Sequence, residues 1–160
     1  MSGFGDIKES IYTILGSMAV VDGYNFDWTT KRRLDTYVKS STTVNATIHY
    51  PVDTPLGEEI REISTNEYRV ISRTIEIKSK VKSTATVLKT EDMVDESNEV
   101  IDGMIYDLHK AITTTAINSS CLGVLDVVMG SIVKENITSN AAYYPFLLNA
   151  EFTIIYKEER

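Results

Sequence analysis

The chain has 160 residues, of which 42% are hydrophobic and 24% charged, and its formal net charge at pH 7 is −7. These proportions are ordinary for a globular protein, and the length predicts a single domain over residues 1–160. The acidic balance disfavours nucleic acid and anionic membrane surfaces as binding partners. Cys121 is the only cysteine, which excludes an intramolecular disulfide and a thiolate zinc cluster. We expect a protein of the reducing cytoplasm, without a signal peptide or a membrane span.

The N-terminal part predicts a helix of about four turns. Its apolar residues recur at helical spacing: Ile7, Ile11, Ile14, Leu15 and Met18. Asp22 and Gly23 provide a stop signal after it. The polar stretch 24–41 then predicts a short strand and a loop, and the alternation over residues 44–50 predicts a half-buried strand.

Residues 53–67 predict a long loop or extended arm, because they combine Pro55, Gly57 and a cluster of acids. Connections within a compact domain usually have roughly 2 to 6 residues, so a segment of this length is expected to have a task of its own. We predict that it contacts a neighbouring subunit or ring, and that deleting it leaves the monomer folded but weakens assembly. The candidate interface residues are Leu56, Glu58, Glu59, Ile60, Glu62 and Ile63.

The clearest amphipathic strand follows this segment. Its apolar side is Ile71, Ile75, Ile77 and Val81, and its polar side is Ser72, Thr74, Glu76, Lys78 and Lys80. The alternation continues less strictly over residues 84–90. A second helix is predicted next, with Asp95 as its N-cap. Its apolar stripe is expected to pack across the sheet and consists of Val100, Ile101, Met104, Ile105, Leu108 and Ile112.

The C-terminal part predicts a long strand from Phe146 to Tyr156, with alternate large apolar residues on one face. Before it, residues 121–129 form a compact apolar run and residues 130–140 look polar and turn-like. A strand of this length needs partners, so the end of the chain belongs to the main sheet. The predicted fold class is α+β, with a mainly antiparallel sheet, an N-terminal helix, a second helix across the sheet and long loops.

Candidate catalytic and metal-binding residues are few. His49 and His109 have no third ligand at metal spacing, and Cys121 lies in an apolar run, so structural roles are expected for all three. The sequence contains none of the motifs that carry phosphate, dinucleotide, acyl-transfer or zinc chemistry. We therefore predict that the protein is not an enzyme and has no catalytic residue, cofactor or metal.

Two basic stretches stand out against the acidic composition. The first is the run 31–33, and the second consists of Lys78, Lys80 and Lys82 on the polar side of one predicted strand. Both are small and lie in acidic surroundings, which disfavours a nucleic-acid role. Alternate lysines on the solvent face of a strand more often make an edge soluble or pair with the acids of a neighbouring chain.

Taken together, this order of elements resembles the tail terminator and neck (head-tail connector) proteins of tailed bacteriophages. The pattern from Ile7 to Gly23 is similar to the opening helix and turn of that family, and the alternating segment from Phe146 to Tyr156 is similar to its closing strand. The resemblance implies a virion structural protein without catalytic residues. The long polar loop at 53–67 departs from the family, which leaves the position along the neck or tail open.

The resemblance also implies the partners. Copies of the chain would form a homo-oligomeric ring, six-fold or twelve-fold, assembled in the host cytoplasm. This ring would contact portal, neck or tail proteins and leave a channel through which DNA passes. An acidic chain suits such a channel, because a negative wall does not hold the DNA phosphates.

Two other classes of function stay open at this point. One is a small ligand-binding or enzymatic α+β domain with a pocket lined by Tyr143, Trp28 or His109. The other is an adaptor or a component of a secretion machine, because ring folds recur outside viruses. A ring in solution favours the phage interpretation, whereas a monomer with a deep apolar pocket favours the ligand-binding domain.

Overall fold

The computed structural model describes residues 3–34, 40–50, 57–83, 90–135 and 145–159. The helices in these ranges are α1 (Phe4–Ser17), α2 (Thr90–Ala111) and α3 (Thr114–Asn118), with a short 3-10 turn at Val20–Asp22. The strands are β1 (Asp27–Thr30), β2 (Thr43–His49), β3 (Glu58–Glu59), β4 (Tyr68–Lys82), β5 (Val124–Glu135) and β6 (Pro145–Glu159).

The described strands form one sheet in the order β1-β2-β4-β6-β5, and β3 pairs with the start of β4. Only β1 and β2 run parallel; the other neighbours are antiparallel. The centre of the sheet is the pair β4–β6, whose ladder runs from Tyr68 opposite Glu159 to Lys82 opposite Pro145. The predicted α+β class, with a mainly antiparallel sheet and a second helix packed on it, is confirmed.

One hydrophobic cluster lies between the sheet and the two long helices. The sheet contributes alternate residues of its central strands: Ile75, Ile77 and Val81 of β4 and Phe146, Leu148, Ala150, Phe152, Ile154 and Tyr156 of β6. The helices contribute Ile7, Ile11 and Leu15 of α1 and Ile101, Met104 and Leu108 of α2. The predicted apolar faces of the two helices and the two long strands therefore share one core, as amphipathic elements must.

A buried carboxyl group fixes the approach to β1. Asp107 of α2 has no exposed surface. It accepts hydrogen bonds from the backbone N–H groups of Asn25 and Phe26 at 2.9 and 3.2 Å, from the Asn25 side chain at 3.0 Å and from Nε1 of Trp28 at 2.9 Å. Because buried polar groups are costly without partners, this network holds the segment before β1 against α2.

The predicted start of the second helix is wrong. α2 already begins at Thr90, so Asp95 lies inside the helix and is not its N-cap. No glycine or proline lies between Thr90 and Asp95, so nothing in this segment prevents the helix from starting at Thr90. Acidic residues in the first turns are also favourable, because they lie near the positive end of the helix dipole. The less regular alternation at 84–89 lies outside the described residues.

The turn predicted for residues 130–140 is wrong over its first half, because β5 continues to Glu135. The strand pairs with β6 but changes register between Val124 and Asp126 and again between Met129 and Ile132. Each irregularity adds an unpaired residue and reverses the alternation, which hides the strand from a period-two reading. Residues 136–140 lie outside the described residues.

Candidate interaction surfaces

The strand β5 lies at the edge of the described sheet and exposes several large apolar side chains. β5 pairs with β6 on one side only. Large apolar side chains are exposed along and just before it: Leu122, Leu125, Val128, Ile132 and Val133, of which Leu122 is 70% and Val133 is 54% exposed. A long edge strand with apolar side chains is a template for pairing with another chain, and proteins usually protect such edges. We call this surface the β5 edge.

A groove of about 680 Å³ lies beside the β5 edge. Its floor and one wall come from β5 and β6 through Val127, Met129 and Phe152, and its other wall comes from His109 and the residues that follow α2. The lining is mixed apolar and threonine-rich. The groove therefore extends the contact surface of the edge toward the end of α2.

The opposite margin of the sheet is closed within the chain. β1 has only four residues, and α1 packs against it. Beyond the end of β1, the hydroxyl group of Tyr12 accepts a hydrogen bond from the backbone N–H of Ile48 at 3.2 Å and lies 3.4 Å from Oγ1 of Thr47. A side chain thus takes the place of a strand partner at this margin.

The predicted arm at 53–67 is partly described. Residues 53–56, including Leu56, lie outside the described residues. Glu58 and Glu59 form β3 and pair with Ser72 and Ile71 at the start of β4. The hydrogen bond from N–H of Ile60 to the carbonyl of Val70, at 2.7 Å, continues this pairing.

The tip of the same segment is exposed to solvent. Glu62 and Ile63 are exposed, and 50% of the Ile63 surface is accessible. The hydroxyl of Ser64 closes the turn by donating to the carbonyl of Ile60 and accepting from the N–H of Val70. The candidate interface residues Glu58, Glu62 and Ile63 are therefore presented on an ordered hairpin.

A concave basic surface lies on the other side of the sheet from α2. It has a volume of about 420 Å³ and combines residues from four separate segments. Its basic residues are Arg32, Arg33, His49, Lys78 and Lys80, and Leu34, Thr47, Leu147 and Asn149 are among the others that line it. No carboxyl group lines it among the described residues. We call this surface the basic hollow.

Arg32 is held at the rim of the basic hollow by α1. Its guanidinium donates to both carboxyl oxygens of Glu9, at 3.1 and 2.8 Å, and lies 3.9 Å from the ring centre of Tyr12. The hydrogen bond from Arg32 lowers the pKa of Glu9, and the same bond raises the pKa of Arg32. Because both side chains are more than half exposed, the pair orients Arg32 and adds little to stability.

A second cation contacts aromatic rings where α1 begins. The guanidinium of Arg73 lies 4.2 Å from the ring centre of Phe4 and 5.1 Å from that of Tyr50. Burial raises the pKa of the Tyr50 hydroxyl, and burial, followed by the nearby Glu158, raises that of Tyr156. This cluster ties the first turn of α1 to the sheet, with the ring centres of Phe4 and Tyr156 5.6 Å apart.

The residues considered for chemistry are dispersed. His49 is exposed on β2, His109 is exposed at the end of α2, and Cys121 is buried. Trp28 is buried in the core with its N–H on Asp107, so it lines neither surface described above, and Tyr143 lies outside the described residues. The described ranges hold no group of three or more His, Cys, Asp or Glu side chains that could bind a metal ion.

Comparison with protein-family models gives no match for this chain, and comparison with characterised proteins gives none either. Among the described helices, none combines the length and apolar character required to cross a bilayer.

Proposed function

We propose that this protein is a structural virion subunit that forms a homo-oligomeric ring in the neck or tail of a tailed bacteriophage. The ring joins the head and portal to the tail and leaves a channel for DNA. The order of elements that carries the resemblance to tail terminator and neck proteins supports this proposal. The observation that supports it most directly is the β5 edge.

The β5 edge combines two features that a neighbouring chain can cover together. β5 is the end strand of the described sheet. Beyond Val124, whose backbone bonds Asn118, one side of this 12-residue strand therefore has no strand partner among the described residues, and its side chains expose apolar surface. A strand from another chain that pairs with this edge satisfies the backbone groups and buries the apolar surface at the same time. An edge strand that exposes apolar side chains is typical of a subunit that functions in an assembly.

The two margins of the sheet differ, and this difference suits a ring. A closed ring is built from heterologous contacts, in which two different surfaces of one subunit meet on neighbouring copies. The β5 edge lies at one margin, and the hairpin with Glu58, Glu62 and Ile63 lies on the β2 side of β4. We propose that this hairpin contributes to the contact with a neighbouring chain or ring.

The groove beside the β5 edge favours the alternative of a small ligand-binding domain. It is partly apolar and has His109 in its wall, which is the composition of many ligand sites. In that alternative the protein is a monomer in solution and a compound fills the groove. Solution mass therefore separates the two functions.

The experiment is to measure the mass distribution of the purified full-length chain by sedimentation velocity and to image it by negative-stain electron microscopy. The ring proposal predicts closed rings at micromolar concentration. Val133→Lys places a charge on the β5 edge and is expected to shift the protein to monomers, and Ile63→Lys is expected to weaken assembly through the hairpin.

The matched control is Val21→Lys, because Val21 is 91% exposed on the 3-10 turn and is not part of either surface. This variant is expected to assemble like the parent. A parent protein that stays monomeric up to high concentration, with Val133→Lys indistinguishable from Val21→Lys, would contradict the ring proposal and favour the ligand-binding domain.

A further inference from the structure

The outer surface of α2 carries a line of acidic residues. Asp95, Glu99 and Asp102 are spaced by four and three residues, so they lie along one side of the helix, and all three are exposed. Tyr106 follows four residues later and is 57% exposed. We call Asp95, Glu99 and Asp102 the acidic stripe.

The basic hollow lies on the opposite face of the sheet from this helix. Lys78 and Lys80 alternate with Ile77 and Val81, which are buried in the core on which α2 packs. Because successive side chains of a strand point to opposite faces, the two lysines point away from α2. One subunit therefore carries the basic hollow on one face of the sheet and the acidic stripe beyond the other face, while Glu76 and Glu151 share the face of the two lysines outside the hollow.

We propose that the basic hollow of one subunit receives the acidic stripe of α2 from a second copy of this chain. This inference rests on the proposed ring and names one of its contacts. The contact uses different surfaces on the two copies, so each subunit offers one of each and the chain of contacts can close into a ring. The apolar walls supplied by Leu34 and Leu147 offer a place for the ring of Tyr106.

Local charge favours a second copy over nucleic acid as the occupant of the basic hollow. The net charge of −7 per chain opposes a second copy and a phosphate backbone alike at long range, so the choice between them rests on local complementarity at the contact. The acidic stripe brings three carboxyl groups on one helix, and the basic hollow presents three cationic side chains, Arg33, Lys78 and Lys80, besides Arg32, which Glu9 already holds. Such complementary surfaces set partner orientation and the rate of association.

Salt dependence distinguishes this contact from the β5 edge. Charges at a solvent-exposed contact are screened over roughly 8 Å at physiological ionic strength and over roughly 3 Å at 1 M. Assembly is therefore expected to weaken as salt rises. Apolar burial at the β5 edge has no such dependence.

The test is a charge exchange in the full-length protein, followed by sedimentation velocity at several concentrations and at low and physiological salt. Lys78→Glu and Asp102→Lys are each expected to raise the dissociation constant of assembly by about tenfold or more. The double variant, which restores opposite charges, is expected to recover most of the loss. Arg33→Glu combined with Asp102→Lys repeats the exchange at an exposed loop position, in case Lys78→Glu lowers the melting temperature.

The charge-matched controls are Lys8→Glu on α1 and Asp22→Lys on the 3-10 turn, which lie outside both surfaces and are expected to assemble like the parent. A parent that forms rings while both single variants match these controls, or a double variant no better than the worse single one, overturns this inference and leaves the proposed ring intact. A parent that never assembles overturns both.

A titration with fluorescent duplex DNA tests the other occupant. We expect no binding to the parent at physiological salt. Binding that Lys78→Glu abolishes, without a change in assembly, overturns the inference and assigns the basic hollow to nucleic acid.

Discussion

The two margins of the sheet differ in strand length and in how far the chain itself covers them. At the β1 margin, the strand has four residues, α1 packs against it and the hydroxyl of Tyr12 satisfies the next backbone donor. At the β5 margin, the strand has 12 residues, and apolar side chains such as Val133 stay exposed. Side chains take the place of a strand partner at both margins, but at the β5 margin they do so only near the start of the strand. There Asn118 bonds the backbone of Val124, and Asp126 bonds the N–H of Val127. Along the rest of β5, no strand partner lies among the described residues.

Under the proposed ring, this difference indicates where a neighbouring chain would bind. At the β1 margin, the N–H of Trp28 already donates to the carbonyl of Met18 and the N–H of Ile48 to the hydroxyl of Tyr12, so a neighbour has less to add there. The β5 edge would gain both backbone hydrogen bonds and apolar burial from a neighbour. Variants that disturb the two margins separately should therefore have different effects on folding and on assembly.

The largest effect on stability is expected from Phe152→Ala, beneath the β5 margin. Phe152 is 1% exposed and lies opposite Ile75 of β4 and Met129 of β5. The truncation removes buried apolar surface and leaves a cavity, so the free energy of unfolding in urea melts should fall by about 3 to 5 kcal/mol.

Val128→Ala is the control for this variant. Val128 lies on the other face of the same strand pair, opposite Thr153, and is exposed. Its truncation should change stability by less than about 0.5 kcal/mol. A loss below about 1 kcal/mol for Phe152→Ala would place this residue outside the core and remove the packed support of the β5 margin.

The next largest effect is expected from Asp107→Ala, which removes the group that holds the approach to β1. The backbone donors of Asn25 and Phe26 and the indole N–H of Trp28 lose their acceptor. Leaving buried donors unsatisfied should lower the free energy of unfolding by about 3 kcal/mol. Asp107→Asn keeps one acceptor oxygen and should lose less.

Trp28 is the only tryptophan, so its fluorescence reports this margin directly. Asp107→Ala should shift the emission of the folded protein toward longer wavelength as water reaches the indole ring. Asn98→Ala, an exposed change on the same helix outside the acidic stripe, should leave both stability and emission unaltered. An unchanged emission spectrum in Asp107→Ala would show that other contacts hold β1.

The sequence predicts the parts of this fold that repeat a pattern over many residues. β4 and β6 alternate over long stretches, and α1 and α2 repeat apolar residues at helical spacing, so tertiary packing has only to bring matching faces together. These elements make the core. The predicted class of fold follows from them.

The irregular strand β5, the Asp107 network and the basic hollow depend on contacts and bulges that no local sequence pattern predicts. Two bulges interrupt β5, so its alternation changes phase within one strand. Asp107 meets Trp28 across 79 positions of sequence. The basic hollow joins four separate segments. Two of them, the run 31–33 and the alternate Lys78 and Lys80, are visible in the sequence as basic stretches, but no local pattern brings them together.

The smallest effect is expected from Tyr12→Phe, and it tests how the β1 margin is closed. The phenylalanine ring can still lie under the guanidinium of Arg32, so the change removes only the hydroxyl that accepts from the N–H of Ile48. This donor is partly buried, and its loss of a partner should lower the free energy of unfolding by about 1 kcal/mol. The amide of Ile48 should also exchange its hydrogen faster in NMR experiments.

Tyr106→Phe is the matched control, because the ring of Tyr106 is exposed on α2 and its hydroxyl contributes nothing to the margin. It should leave stability and the exchange of the Ile48 amide unchanged. If Tyr12→Phe speeds the exchange of the Ile48 amide and leaves ring assembly unaffected, the β1 margin is closed by the Tyr12 side chain and not by a neighbouring chain. Slow exchange in both variants would mean that another group protects Ile48, and the contrast between the margins would then rest on the β5 edge alone.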